Sequence, residues 1–352
     1  MTVPPARDWI LTLNAGSSSL KLALHDLEGA EIAAGQMSDL DVMTVSSARL
    51  GETTRALAEG RGLAAAPLAV GHRVAHGVEF RAPGELTPAM RAALEKACAF
   101  APLHNPPALH VIDAAAELFP QARRTACFDT AFHATQPPEE TTFPIPEAWR
   151  AAGLRRYGFH GLSYASMVRR LPAQLGGPLP PRLLACHLGA GSSMAAIREG
   201  VSVATTMGFS PMEGLVMATR CGELDPGVIF HLLRAGETPE SLERALNRDS
   251  GLKALGGSGS MKDLLARDDP AARFAVAHYC HWAIRHAGSL IAGMGGVDAI
   301  CFTGGIGEHA APVREAILDG LRWAGLDEGA CHVIVADEAG EIAHATLAIL
   351  RG

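Results

Sequence analysis

At 352 residues, with 48% hydrophobic and 19% charged residues, the chain can bury a large core and exceeds the usual size of one domain, so two domains with a cleft between them are expected. A net charge of −7, with no run of Lys and Arg, excludes nucleic acid and anionic membrane as expected partners and requires any bound anion to be caught locally. Seven scattered cysteines without a Cys-x-x-Cys pair exclude a disulfide framework and a zinc knuckle and fit a reducing cytoplasm, while no segment approaches the ~20 apolar residues of a membrane span and residues 1–10 do not read as a signal peptide.

In chain order, residues 10–13 and 20–24 read as strands flanking the polar turn Asn14-Ala15-Gly16-Ser17-Ser18-Ser19. Residues 83–100 and 107–119 read as helices, because Leu94, Ala97 and Cys98, then Val111, Ala114, Ala115 and Leu118, fall at helical spacing. A brief strand over 126–130 carries Asp129, and the prolines at 137, 138, 144 and 146 mark a domain junction. Residues 183–188, the turn Gly189-Ala190-Gly191-Ser192-Ser193 and residues 194–197 then repeat the opening arrangement. Ala-Gly-Ser-Ser at 15–18 returns at 190–193, an offset of 175 that is close to half the chain and points to a duplicated α/β domain. Pro-Leu-Pro-Pro at 178–181 is a connector. Residues 274–294 form a long apolar helix, 297–302 a buried strand and 312–323 a helix.

Small residues in a hairpin let backbone N–H groups approach phosphate oxygens, and hydroxyls add donors; they also simply make turns. Lys21, two residues beyond Ser19, favours phosphate for the first hairpin. A third cluster, Thr303-Gly304-Gly305-Ile306-Gly307-Glu308, lies between a strand and a helix, where a nucleotide would rest on a strand-to-helix turn. No Walker A loop, protein-kinase motif set or Gly-x-Gly-x-x-Gly fingerprint is present, so a phosphate handler here belongs to another fold. Charged and histidine side chains stand beside turns at Arg73, His104, Asp129, His160 and Arg220. They are the residue types phosphoryl transfer uses: carboxylate for a metal, cations and donors for the equatorial oxygens. Singly, each also reads as a surface ion pair, a cap or a satisfied loop histidine. His72 and His76 have the i, i+4 spacing of zinc ligands, but the surrounding residues suggest a strand, where that spacing does not converge on a metal. His278, His281 and His286, within the apolar helix, read as core or interface residues.

Several blocks carry a resemblance: Asn-Ala-Gly-Ser-Ser-Ser-Leu-Lys at 14–21, Gly-His-Arg-Val-Ala-His-Gly at 71–77, Phe-Asp-Thr-Ala-Phe-His at 128–133 and Arg-Arg-Tyr-Gly-Phe-His-Gly at 155–161. Met-Gly-Phe-Ser-Pro-Met-Glu-Gly at 207–214, Thr-Arg-Cys-Gly-Glu-Leu-Asp-Pro at 219–226 and Gly-Gly-Ile-Gly-Glu at 304–308 extend it. Taken in order, from Leu11 to about Leu347, the chain resembles the acetate kinase family within the sugar-kinase and actin-like superfamily. The resemblance implies an α/β fold of two duplicated actin-like (ribonuclease-H-like) domains with a central cleft. Residues 1–133, completed by 339–352, would form the N-terminal domain, and 134–338 the C-terminal domain with the nucleotide-binding stretch.

The resemblance further implies a homodimer and reversible, Mg2+-dependent phosphoryl transfer between ATP/ADP and a small carboxylate. By this likeness Asp129 orients the acceptor with Mg2+, Arg73 and Arg220 neutralise the phosphoryl group, His160 donates to it, and His104 is a second active-site histidine. Asn14, Ser17, Ser19 and Lys21 match the phosphate and metal hairpin, with Asn14 and Glu338 joining Asp129 around the metal. His187, Gly189, Gly191, Ser260, Lys262, Gly304, Gly305 and Gly307 match the nucleotide and phosphate side. Val74 or Ala75, Leu103, Phe159 and Pro211 form the acid pocket. Family members commonly carry valine where Ala75 stands, so propionate is an alternative to acetate. Ala190 stands for an asparagine, and Ser260 and Lys262 for an aspartate and an arginine, which leaves a non-ATP donor such as pyrophosphate as another alternative. A catalytically silent phosphate-sensing module on the same fold is the reading from a different class.

Overall fold

The computed structural model describes residues 6–16 and 19–352. Strand β1, Ile10–Ala15, is apolar on both faces and buried throughout except at Asn14, as expected for a strand covered on two sides. It pairs antiparallel with β2, Ser19–His25, which pairs antiparallel with β3, Glu31–Ser38. On its other side β1 lies parallel to β4, Ala69–Val74, buried except at Arg73, and β4 lies parallel to β6, Arg123–Phe128. The two-residue β5, Gly84–Glu85, closes the edge against β6. The order is β3-β2-β1-β4-β6-β5. A second sheet repeats the plan. There β7, Arg182–Leu188, runs antiparallel to β8, Ser192–Arg198, which is antiparallel to β9, Val201–Thr205; β10, Ala299–Thr303, is parallel to β7 and to β11, Cys331–Val333. Its order, β11-β10-β7-β8-β9, is that of the first sheet read from the other edge without β5. A three-strand meander followed by two parallel strands thus occurs twice, which is the duplicated actin-like plan.

The chain divides into two compact units, residues Met1–Phe132 with Asp337–Gly352, and residues His133–Ala336. This boundary puts Glu338 on the first unit rather than on the second. In the first unit, one sheet face packs on helix Asn105–Leu118 and the other on helix Glu338–Arg351. Gly71 of β4 lies directly beneath the latter: a Cβ there would collide with Thr346 Oγ1 and come within 2.7 Å of Ile342. Thr125 and Thr346 hydroxyls bond at 2.7 Å across the same contact. In the second unit, helix Pro270–Met294 supplies much of the core through Ala272, Ala275, Tyr279, Ala283, Ala287 and Ile291. It starts four residues before the expected position because Asp269 caps it, accepting from the amides of Ala271 and Ala272 at 3.1 and 3.0 Å.

The helix expected over 83–100 is shorter, Pro88–Ala97. Gly84 and Glu85 are taken by pairing with β6, and Thr87 caps the helix ahead of Pro88 by accepting from Met90 N at 3.2 Å. The glycine cluster expected as a turn forms a short helix, Gly304–His309, directly after β10. Among the described residues, no helix is long and apolar enough to cross a membrane.

Candidate active site

In the first unit, the two interruptions in strand burial are neighbours. Parallel pairing aligns Leu13 with His72, which places Asn14 beside Arg73 at the ends of β1 and β4. The Arg73 guanidinium grips Asp129, just beyond β6, through Nε to both carboxylate oxygens at 3.1 Å and Nη2 to Oδ2 at 2.5 Å. Arg73 Nη1 also donates to Asn14 Oδ1 at 3.2 Å, and Asn14 Nδ2 donates to Glu338 Oε2 at 2.6 Å. Four side chains from three parallel or neighbouring strands and one helix start therefore form one connected cluster. Asp129 is 1% exposed. Burial pushes its carboxyl up; Arg73 pulls the other way, and the Glu338 charge adds to the rise. Burial likewise works against the charge on Arg73, but Asp129 and Glu338 offset it and raise its value, so the guanidinium stays protonated.

Asn14 Oδ1 is turned to Arg73, so in this arrangement Asn14 bridges a cation to an anion, and Asp129 and Glu338 are the carboxylates of the cluster. Lys21 is the cross-strand partner of Asn14 and is exposed. The first hairpin is closed by Gly16 N donating to Ser19 O at 2.8 Å; Ser17 lies outside the described residues.

The loop after β4 is held by two residues to which the sequence reading gave no role. Asn105 is fully buried, accepting from His76 N at 3.0 Å and donating to His76 O at 2.9 Å. Thr130 Oγ1 accepts from Gly77 N at 3.1 Å. Of the two pocket candidates on β4 and its loop, Val74 is fully buried in the core with Leu109 and Ile112, whereas Ala75 begins the clamped loop and is 4% exposed. His104 occupies the cap position of helix Asn105–Leu118, next to half-buried Leu103.

In the second unit, His160 caps helix Gly161–Leu175 with left-handed backbone, φ 59°, a conformation that costs a non-glycine residue about 1–3 kcal/mol and persists where surroundings over-determine it. The surroundings are visible. His133 Nε2 bonds Phe159 O at 2.9 Å and its Nδ1 meets Ser202 Oγ at 2.8 Å; burial lowers His133 to about 4, so the neutral ring donates to that carbonyl. Tyr157 N and Gly158 N both donate to Gly208 O, at 3.0 and 3.3 Å. Phe159 packs with Met207 and Met217.

His160 stacks on His187 at 4.2 Å between ring centroids. A Cβ placed on Gly191 would lie 3.2 Å from His160 Nε2 and 3.4 Å from Arg220 Nη1, so the glycine turn, the imidazole and the guanidinium converge. Arg220 Nη1 donates to Pro211 O at 3.0 Å. The third cluster joins them, since a Cβ on Gly189 would lie 3.8 Å from Gly305 N. Gly304, at φ 78°, packs so tightly on the Leu188 backbone that a side chain is excluded, and Gly305 faces open space. Gly307 is buried against Phe302 within the same short helix. Ser260 is held differently: its hydroxyl accepts from Asp263 N at 3.2 Å and caps helix Met261–Leu265, which carries exposed Lys262.

The structure thus assembles Asn14, Arg73, Asp129 and Glu338 in one unit, and His160, His187, Gly189, Gly191, Arg220, Gly304 and Gly305 in the other. Buried carboxylates with a paired guanidinium, and an imidazole and guanidinium converging on a glycine turn, are groups suited to anionic phosphoryl chemistry.

The Acetokinase family model matches residues 58–344. The chain is 40% identical over 348 residues to the acetate kinase of Rhodopseudomonas palustris (strain TIE-1), covering 91% of this chain and 87% of that protein. It is 38% identical to the acetate kinase of Methylocella silvestris, covering 97% and 98% of the two chains. Among solved structures, Porphyromonas gingivalis acetate kinase superposes with a TM-score of 0.87 at 30% identity, over 97% of this chain and 100% of that one. A propionate kinase from Francisella tularensis gives the same TM-score at 27% identity, over 96% and 98%. The sequence blocks, the twice-used sheet plan and these likenesses agree, and the chain belongs to the acetokinase family.

Proposed function

We propose that this protein catalyses reversible phosphoryl transfer between ATP and acetate, giving acetyl phosphate and ADP. The observation that carries this reading is the Asp129–Arg73–Asn14–Glu338 cluster. A buried carboxylate gripped by a guanidinium and linked through an amide to a second carboxylate is an oxygen donor set that suits Mg2+, which takes one or two carboxylates and fills its remaining positions with water and phosphate oxygens. The mutual repulsion that helps raise Asp129 would be relieved by a cation there. Asp129 and Glu338 would hold the ion, and Asn14 fixes both Glu338 and Arg73. Bound Mg2+ supplies charge neutralisation and orientation of the phosphate oxygens. Asp129 orients the acceptor carboxylate, and Arg73 and Arg220 offset charge on the phosphoryl group. His160 donates to an equatorial oxygen. The backbone around Gly189, Gly191, Gly304 and Gly305 offers N–H groups to the nucleotide phosphates, with Ser19 and Lys21 adding a donor and a cation.

Ala75 favours a second reading for the acid. A pocket with alanine where the family commonly has valine leaves room for another carbon, and one methylene is worth ~1–3 kcal/mol of discrimination. Assembly as a homodimer belongs to the same proposal; Phe230 and Phe274, 56% and 57% exposed, leave apolar surface on the second unit for it. The test is a matrix of acetate and propionate against ATP, GTP and pyrophosphate with Mg2+, the acyl phosphate being trapped by hydroxylamine. Product with acetate and ATP is expected. No product from any pair would leave a silent phosphate-binding module.

A further inference from the structure

His160 Nδ1 and Nε2 face different surroundings. Nε2 points to the Gly191 turn and Arg220, whereas Nδ1 meets Ser193 Oγ at 2.9 Å. Ser193 is fully buried on β8, and its Oγ lies 2.5 Å from the hydroxyl of Tyr164, one helical turn beyond His160 and also fully buried. The neutral ring has one N–H donor and one bare nitrogen, and the partner of one nitrogen decides which is which.

We propose that Tyr164 and Ser193 are positioning residues that lock His160 as the Nε2–H tautomer, so that its single donor faces the phosphoryl group. Between a phenol and an alcohol, the phenol is the stronger acid and donates. Burial raises the phenol above its ordinary value, so it keeps its proton. Ser193 Oγ, already accepting from Tyr164, directs its own proton to His160 Nδ1, which is then the bare nitrogen. The ring proton resides on Nε2, beside Gly191 and Arg220. His160 is thereby a fixed hydrogen-bond donor, and the direction of donation runs from the buried phenol outward. No proton needs to cross the relay during turnover.

This rests on the phosphoryl-transfer reading for its catalytic consequence but not for the tautomer, and the experiment separates the two. Protein labelled with 15N histidine is examined by long-range 1H–15N correlation at pH 8, with His160 assigned by the missing signals of His160→Gln. The wild type is expected to show a protonated Nε2 and a bare Nδ1 whether or not it makes acyl phosphate; a proton on Nδ1 overturns the proposal. Tyr164→Phe, which keeps the ring that packs on His133, is expected to introduce the Nδ1–H form. It should lower kcat roughly 10-fold with KM for acid and nucleotide within about 2-fold, since a wrong tautomer damages the transition state rather than binding. An unchanged tautomer, or a changed tautomer with unchanged kcat, overturns the relay. Ser193→Ala should reproduce the kcat loss, and Tyr164→Phe with Ser193→Ala should be no worse than Ser193→Ala alone.

Discussion

Asn14 Nδ2 donates to Glu338 Oε2 at 2.6 Å, across a sequence separation of 324 residues. This bond ties the end of β1 to the start of helix Glu338–Arg351 and sets the second carboxylate beside the Arg73–Asp129 pair. Glu338→Gln keeps the hydrogen-bonding shape while deleting the charge. It is expected to raise the Mg2+ concentration required for half-maximal acyl phosphate formation by ~10–100-fold, with the fold intact. Titration of Mg2+ in the hydroxylamine assay checks it, and an unchanged requirement removes Glu338 from the metal site.

Arg220 is half-buried, and its Nη1 donates to the Pro211 carbonyl at 3.0 Å and to the Met217 thioether at 3.6 Å. Arg220→Ala should lower kcat by ~10²–10³ and shift thermal unfolding by only a few degrees. Arg73→Ala should differ. It strands Asp129 without its guanidinium and should cost roughly 3 kcal/mol of stability as well as activity. Turnover and urea unfolding of the two variants side by side separate these outcomes.

Ala75 begins a loop clamped by Asn105 and Thr130, so a change of side-chain size there is not absorbed by backbone movement. Ala75→Val is expected to shift the ratio of kcat/KM for propionate over acetate down by roughly 10-fold, within the range for one methylene. A ratio unchanged by the substitution would place the acid elsewhere.

Burial lowers His72 to about 3 and His76 and His133 to about 4, against an ordinary 6.5. Below pH 6.5 the unfolded chain takes up protons at these positions while the folded chain does not, so stability falls as pH drops from 6.5 toward 4 and levels off below the folded values. Each contributes up to about 1.4 kcal/mol per pH unit in that window. His72 Nε2 is buried with no hydrogen-bond partner. His72→Leu should therefore flatten the acid dependence of the urea midpoint without loss of stability at pH 7, and an unchanged slope would refute the assignment.

Arg73, Asp129, His160 and Arg220 stand out in the sequence beside turns, and Asn14 in a Gly/Ser hairpin, but their expected roles come from the family likeness. Glu338 was reachable only through that likeness: nothing around it in sequence marks a site, and its place beside Asn14 arises from the return of the chain to β1. Asn105 and Tyr164 were given no role, and Ser193 was read only as part of the second hairpin, for the same reason. Asn105 lies ahead of the helix expected over 107–119 and begins the observed one, while its amide faces the loop after β4. The extra strand β5 was read as helix because Gly84 and Glu85 carry no β signal and are extended only by pairing with β6. Strand β11, three half-buried residues, is set by β10 alone.

Helix Glu338–Arg351 covers one face of the first sheet, yet it is translated after the whole of the second unit, about 200 residues later. At ~5–20 residues per second, the groove above Gly71 is exposed on the ribosome for roughly 10–40 s. The second unit, continuous in sequence, can fold within that interval, while the first waits for its missing helix. Nascent first-unit sheet is therefore the stage most open to chaperone capture or aggregation. The Asn14–Glu338 bond, which completes the carboxylate cluster, forms only when that wait ends.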